Sequence, residues 1–216
     1  MVQCPSCARQ SEPRLTCPEC GAPLGVELDC FAALDLPRKL ALDPRELERI
    51  YHEAGRRIHP DRFAAATPAV RQASLKSTAL LTRSYRTLRD PISRGRYWLE
   101  LMDEKLAENN KRVPSELAEL VFEVQEQLGE LRETHNGSAI ALGAAIKSRR
   151  GELEELVATT QEELERNFAR WDGGAGERQE LVNELKSALS KIAYLRTLTR
   201  DVDRALESAT DAIKAN

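Results

Sequence analysis

The stretch from Asp43 to Phe63 reads DPRELERIYHEAGRRIHPDRF, and it decides how the rest of the chain is read. Asp43 is an N-cap residue, Pro44 takes the first helical position, where its missing N–H costs nothing, and Glu46 is spaced to close a capping box. Leu47, Ile50, Tyr51, Ala54 and Ile58 then recur at the 3.6-residue period of an amphipathic helix. Arg49, Arg56 and Arg57 make its polar side basic. Pro60 disfavours helical geometry at His59 and brings no backbone donor. The helix is therefore expected to end at this point, leaving His59 and Asp61 in a loop.

Working outward, Thr67-Pro68 and Asp90-Pro91 repeat the cap-then-proline form. Leu80, Leu81, Tyr85 and Leu88 give the buried stripe of the helix that follows Pro68. A further helix runs from Pro91 through Tyr97, Trp98 and Leu101. Pro114 starts another, expected to reach about Thr134, and Asn136-Gly137 is a break signal. A long helix is expected from about Ser138 to Trp171, and Asp172 to Gly176 reads as a turn. The last helix places Leu181, Leu185, Leu189, Ile192, Leu195, Leu198, Val202 and Leu206 on one side. Three long helices with short connections predict an antiparallel bundle. Ala, Leu, Glu and Arg, all strong helix formers, dominate the composition, so the fold class is all-α. The expected domains are residues 1–24, 25–100 and 101–216.

Composition narrows the function. The net charge is −3, with 32 basic against 35 acidic residues, whereas a general nucleic-acid binder carries a clear basic excess. No run of about eighteen apolar residues is present, so no membrane span is expected. The N-terminus lacks a basic region followed by an apolar run, and it is not Arg-rich. It reads as neither a secretory signal nor a transit peptide, and the expected location is cytoplasmic. In a reducing compartment, cysteines serve as metal ligands more often than as disulfides.

Four of the five cysteines form two CxxC knuckles, Cys4-Pro5-Ser6-Cys7 and Cys17-Pro18-Glu19-Cys20-Gly21. Zinc takes four thiolates in a tetrahedron, each knuckle offers two of them on one tight turn, and a hairpin between the knuckles can bring the pairs together. A structural Cys4 zinc site folds a segment too small to fold alone and leaves no open position for catalysis. A tetrathiolate site for iron, a redox dithiol and unligated cysteines are the alternatives. A redox motif normally opens a helix in a larger sheet domain, and no such domain surrounds these residues. Cys30, beside Phe31, reads as a buried hydrophobe. In residues 1–24 the basic residues Arg9 and Arg14 are balanced by Glu12 and Glu19, which is poor equipment for a nucleic-acid adaptor.

The tripeptide His59-Pro60-Asp61, between a basic amphipathic helix and a longer second helix, has the layout of a J domain. The likeness extends to the HscB family of iron–sulfur co-chaperones. It is carried by Phe31 through Leu36-Pro37, by Asp43, Leu47 and Tyr51, and by His59-Pro60-Asp61-Arg62-Phe63. It continues through Tyr85-Arg86-Thr87-Leu88-Arg89-Asp90-Pro91, Arg94, Tyr97, Leu99 and Leu101. Tyr194-Leu195-Arg196-Thr197-Leu198 is similar to the family's last-helix signature, and the cysteine knuckles resemble the zinc module of some members. The resemblance covers about residues 30–206. Ala54, where the family has Leu, and Thr82, where it has Asn, depart from the pattern.

The resemblance implies a helical J domain, a three-helix C-terminal bundle and a small N-terminal zinc module. It implies a co-chaperone that stimulates the ATPase of a DnaK/HscA-type chaperone and delivers to it an iron–sulfur scaffold protein of the IscU type. The chaperone contact falls on His59, Pro60 and Asp61 with Arg49, Arg56, Arg57 and Arg62. The scaffold contact falls on Val121, Phe122, Gln125 and Glu126, with Tyr194 from the last helix. Glu130-Leu131-Arg132-Glu133 also resembles the family's run, so the register stays open by a residue or two. A general J-domain protein presenting unfolded clients shares the loop and differs in the bundle. No enzyme is expected. His59 has no nucleophile or second histidine at a useful spacing, since His52 lies on the preceding helix. The Asp172–Gly176 glycines have neither a lysine nor a preceding strand to make a phosphate loop.

Overall fold

A computed structural model describes residues 1–104, 106, 113–133 and 138–214. Among the described residues, two strands and seven α-helices follow one another in the order β1 (Val2–Gln3), β2 (Gln10–Ser11), α1 (Cys30–Ala33), α2 (Pro44–Ile58), α3 (Pro68–Arg89), α4 (Pro91–Leu101), α5 (Ala118–Glu133), α6 (Ser138–Asp172) and α7 (Arg178–Lys214). Short 3₁₀ turns occupy Pro60–Phe63 and Ser115–Leu117. The chain forms two compact units, Met1–Trp98 and Leu99–Asn216. The all-α expectation holds, with one small antiparallel hairpin added at the N-terminus. The expected Asn136-Gly137 break and the Thr134 helix end lie outside the described residues.

In the first unit the helix starts follow the caps read from sequence. The Asp43 carboxylate accepts the Arg45 N–H, and Thr67 Oγ1 accepts the Val70 N–H. Asp90 accepts both the N–H and the hydroxyl of Ser93. Glu46 is used otherwise than in a capping box, because both of its oxygens engage the Arg49 guanidinium, at 2.6 and 2.8 Å. Leu47 and Ile58 of α2, Leu80, Leu81, Tyr85 and Leu88 of α3, and Phe31 of α1 with Leu34 at its C-cap are buried. Tyr51 stacks on Tyr85, with ring centroids 4.2 Å apart. Buried Arg94 donates to the Leu88 carbonyl at the end of α3. Cys30 is buried as expected, and its N–H donates to the Tyr97 hydroxyl.

A tight approach joins the N-terminal hairpin to these helices. Gly25 has φ +64°, and a Cβ there would lie 2.7 Å from the Ala73 backbone, so only glycine fits. Its N–H donates to the buried Ser77 hydroxyl on α3.

In the second unit α5, α6 and α7 share a core of Leu117, Val121, Val124, Leu128, Leu131, Ile146, Leu153, Leu195, Leu198 and Val202. The α7 stripe from Leu181 to Val202 is buried as its period requires, while Leu206 is partly covered. Ion pairs flank this seam: Arg149 with Glu123, Arg150 with Asp203, and Arg170 with Glu184. The turn between α6 and α7 uses Gly174 and Gly176, both at positive φ.

Candidate functional site

The β1–β2 hairpin carries the first cysteine knuckle in its turn, and a Thr16–Pro23 bridge closes a second turn around the other. Cys4 Sγ lies 3.6 Å from Cys20 Sγ, Cys7 Sγ lies 3.8 Å from Cys17 Sγ, and all four sulfurs fall within 4.8 Å of one another. Four thiolates about 2.3 Å from one tetrahedral ion stand about 3.8 Å apart, whereas a disulfide needs about 2.05 Å. The spacing is therefore that of a ligand set. The two knuckles repeat each other. The N–H of Ala8 returns to the Cys4 carbonyl as that of Gly21 returns to Cys17, and Ala8 and Gly21 both have positive φ. Cys4 and Cys17 are buried, while Cys7 and Cys20 lie at the surface.

Cys17 and Cys7 are set apart by what surrounds them. The backbone N–H of Cys20, helped by that of Glu19, favours the Cys17 thiolate and lowers that thiol to about 7. At Cys7 the backbone N–H of Arg9 also favours the thiolate. Desolvation and the sulfurs of Cys20, Cys4 and Cys17 oppose it and win, pushing Cys7 up to about 11. A cation at the centre would relieve this opposition by favouring the thiolate at every position.

Elsewhere in the first unit, α2 ends at Ile58 and His59 is its C-cap. The expected loop is a single 3₁₀ turn from Pro60 to Phe63, because Pro60 fixes φ and the Arg62 N–H closes on the His59 carbonyl at 3.0 Å. His59 Nδ1 accepts the Asp61 N–H at 3.3 Å and lies 3.4 Å from Asp61 Oδ2. The imidazole thus holds the backbone of the turn, while the Asp61 side chain, 90% exposed, stands out into solvent. Such a carboxylate is a ready acceptor for a cationic partner group.

The four arginines differ. Arg49 is held between Glu46 and Glu53, at 2.6 and 3.0 Å. Glu46 above all, then Glu53, raises its affinity for the proton still further. Arg56 and Arg57 are exposed, and no acidic side chain among the described residues pairs with them. Arg62 donates to the Arg56 carbonyl at 3.3 Å.

On the bundle, α5 separates the expected scaffold residues. Phe122 is 67% exposed, and Gln125 and Glu126, at i+3 and i+4, are exposed with it. Val121 points the other way and is buried in the bundle core, because adjacent helical residues lie about 100° apart. Tyr194 is partly buried and packs against that core. Leu131, in the alternative run Glu130 to Glu133, is also core. Sequence reasoning missed Ser74, whose buried hydroxyl donates to the Ile58 carbonyl, and Asp29, whose carboxylate caps α1. Asp29 followed by an apolar run is a cap signal available in the sequence, whereas a serine inside α3 carries no comparable mark.

With this geometry in place, the chain can be set beside known proteins. No family model matches it. It is 32% identical over 138 residues to the HscB co-chaperone homologue of Chromobacterium violaceum, covering 63% of this chain and 74% of that protein. It is 34% identical over 140 residues to the homologue of Bordetella avium, covering 62% of this chain and 82% of that protein. The human iron–sulfur cluster co-chaperone HscB is 26% identical over 194 residues, which is 88% of this chain and 75% of that protein. The crystal structure of human HscB superposes with a TM-score of 0.67 at 23% identity over 93% of this chain and 96% of the other. Vibrio cholerae HscB gives 0.60 at 20% identity over 84% and 99%. These two likenesses bear on the fold.

Proposed function

The chain belongs to the HscB co-chaperone family, and from that premise we propose that it stimulates a DnaK/HscA-type chaperone ATPase and brings to it an iron–sulfur scaffold protein of the IscU type. Residues 1–24 are the metal module, 25–100 the J domain and 101–216 the scaffold-binding bundle. The observation that carries this reading is the turn at His59-Pro60-Asp61, which fixes the backbone through the imidazole and leaves the Asp61 carboxylate in solvent.

In this reading no bond is made or broken by the chain itself, and it is not an enzyme. Asp61 accepts a hydrogen bond from a cationic group of the chaperone, Pro60 holds the shape of the turn, and His59 keeps its backbone in place. Arg56, Arg57 and Arg62 face an acidic chaperone surface, where such charges raise the rate of encounter and set orientation. Arg49, already paired twice, contributes least. Binding one state of the chaperone better than another moves its nucleotide cycle by that difference in affinity.

Phe122, Gln125 and Glu126 make the scaffold contact, with Tyr194 at its side and Val121 supporting the helix from beneath. Zinc is the metal assigned to Cys4, Cys7, Cys17 and Cys20. An all-thiolate tetrahedron suits zinc and leaves no open coordination position, so the ion's role is to hold the hairpin.

The test combines the two partners. Isothermal titration with the scaffold protein is expected to give saturable binding to the wild-type chain, lost in Phe122→Asp, while both chains stimulate the chaperone ATPase. Absence of scaffold binding together with intact ATPase stimulation would contradict delivery and leave a general J-domain protein.

A further inference from the structure

The end of α2 leaves backbone carbonyls to be accounted for. The last four carbonyls of a helix lose their i+4 donors unless the following chain supplies them. Pro60 has no N–H to give to the Arg56 carbonyl. The Asp61 N–H is turned to His59 Nδ1, and the Arg62 N–H goes to the His59 carbonyl. Arg56, Arg57 and Ile58 are thus left without their helical donors. Arg56 receives the Arg62 guanidinium at 3.3 Å, and both it and Arg57 are exposed residues within reach of water. Ile58 is fully buried, so water cannot serve it. Its carbonyl takes the hydroxyl of Ser74 at 2.6 Å, from a side chain that is itself fully buried on α3. A serine inside a helix ordinarily back-bonds to its own preceding turn. This one reaches across to another helix, at the residue where α2 gives way to the turn.

We propose that Ser74 is a positioning residue for the chaperone contact: its hydroxyl fixes the Ile58 carbonyl, and with it the direction in which His59-Pro60-Asp61 leaves α2. The inference rests on the chaperone reading of that turn. Ser74 touches no partner. Without its hydroxyl the Ile58 carbonyl is a buried acceptor with no donor, and it can recover one only if the last turn of α2 opens to water. The turn then spends part of its time in other directions. Apparent affinity falls by the fraction of chains still competent, while the complex at saturation is unchanged.

The experiment titrates full-length chains into a DnaK-type chaperone with ATP and reads phosphate release for wild type, Ser74→Ala, Ser74→Thr and Ser77→Ala. Ser77 is the matched control. It is buried on the same helix, but its hydroxyl accepts the Gly25 N–H at 3.2 Å, away from the turn. Ser74→Ala is expected to raise the half-maximal concentration by up to about fivefold, the ceiling set by one net hydrogen bond, with the maximum unchanged. Ser74→Thr keeps the hydroxyl and returns the half-maximal concentration toward wild type. Ser77→Ala shifts melting only.

A half-maximal concentration for Ser74→Ala equal to wild type overturns the proposal, and so does a Ser77→Ala shift as large as that of Ser74→Ala. If the alanine chain does not fold, the wild-type chain decides by NMR. The proposal expects a Ser74 hydroxyl proton protected from exchange, and a rapidly exchanging one overturns it. A wild-type chain that gives no stimulation refutes the chaperone reading itself, a result distinct from stimulation that Ser74→Ala leaves untouched.

Discussion

The two ends of the chain reach order by different physics. The bundle of α5, α6 and α7 is held by a period: leucines, valines and isoleucines fall on one face of each helix and bury one another. The N-terminal hairpin has no such resource. Its buried apolar residues are Cys4, Cys17, Ala22 and Leu24, with Val2 and Val26 partly covered, and the centre of the cluster is sulfur. A segment of that size cannot offset the conformational entropy of ordering its backbone. Four thiolates at this spacing could hold a metal ion, which would supply the order that packing does not, whereas the bundle has an extended apolar core of its own.

Removing the ion should break this comparison most sharply. Chelation, or Cys17→Ser, is expected to abolish dispersed amide resonances for residues 1–24 while leaving the helical signal of α5–α7 intact. Simultaneous loss of both would contradict the division. Acid should do the same as chelator, because protonated thiols no longer ligate.

The next largest effect belongs to the bundle. Leu195 is fully buried in its core, and Leu195→Ala should cost about 2–5 kcal/mol by denaturant unfolding, with bound metal per chain unchanged. A smaller effect is expected where one turn of helix depends on a cap. The Asp29 carboxylate accepts the N–H groups of Phe31 and Ala32 and pairs with Arg38 at 2.8 Å. Burial works against its charge, but Arg38 and those N–H groups prevail and hold it below the ordinary aspartate value. Its contribution is therefore present above the unfolded aspartate pKa and is lost as pH falls through the lower folded one. Asp29→Ala should cost about 1 kcal/mol at neutral pH, and the difference from wild type should narrow in acid as the charge on Asp29 is lost.

The smallest effect on stability is expected at Phe122, which is 67% exposed on the same helix that buries Val121 and Val124. Phe122→Ser should leave the melting temperature within error of wild type while scaffold binding is lost. A large drop in melting would place Phe122 in the core and remove it from the contact.

The same contrast explains what could be seen in the sequence. Periodicity and caps are local, so α2, α3 and α4 with their starts at Asp43, Thr67 and Asp90 were legible, as were the buried stripe of α7 and the ligand spacing of the cysteines. Contacts between residues distant along the chain were not. Nothing near Ser74 announces that it serves a carbonyl sixteen residues earlier. The pairing of Arg49 is of the other kind, since Glu46 and Glu53 stand three residues before it and four after, a spacing the sequence displays. Along α5, apolar residues stand side by side at Val121 and Phe122, so the stripe is broader than one face. Packing against α6 and α7 decided which of the two turned inward.

We propose that His59-Pro60-Asp61 is a contact that biases another protein's ATPase. Steady-state phosphate release by a DnaK-type chaperone, measured with wild-type chain and with His59→Gln, tests it most directly. Stimulation by wild type and its loss in His59→Gln are expected, with the metal content and helicity of the two chains the same. Equal stimulation by both chains would contradict it.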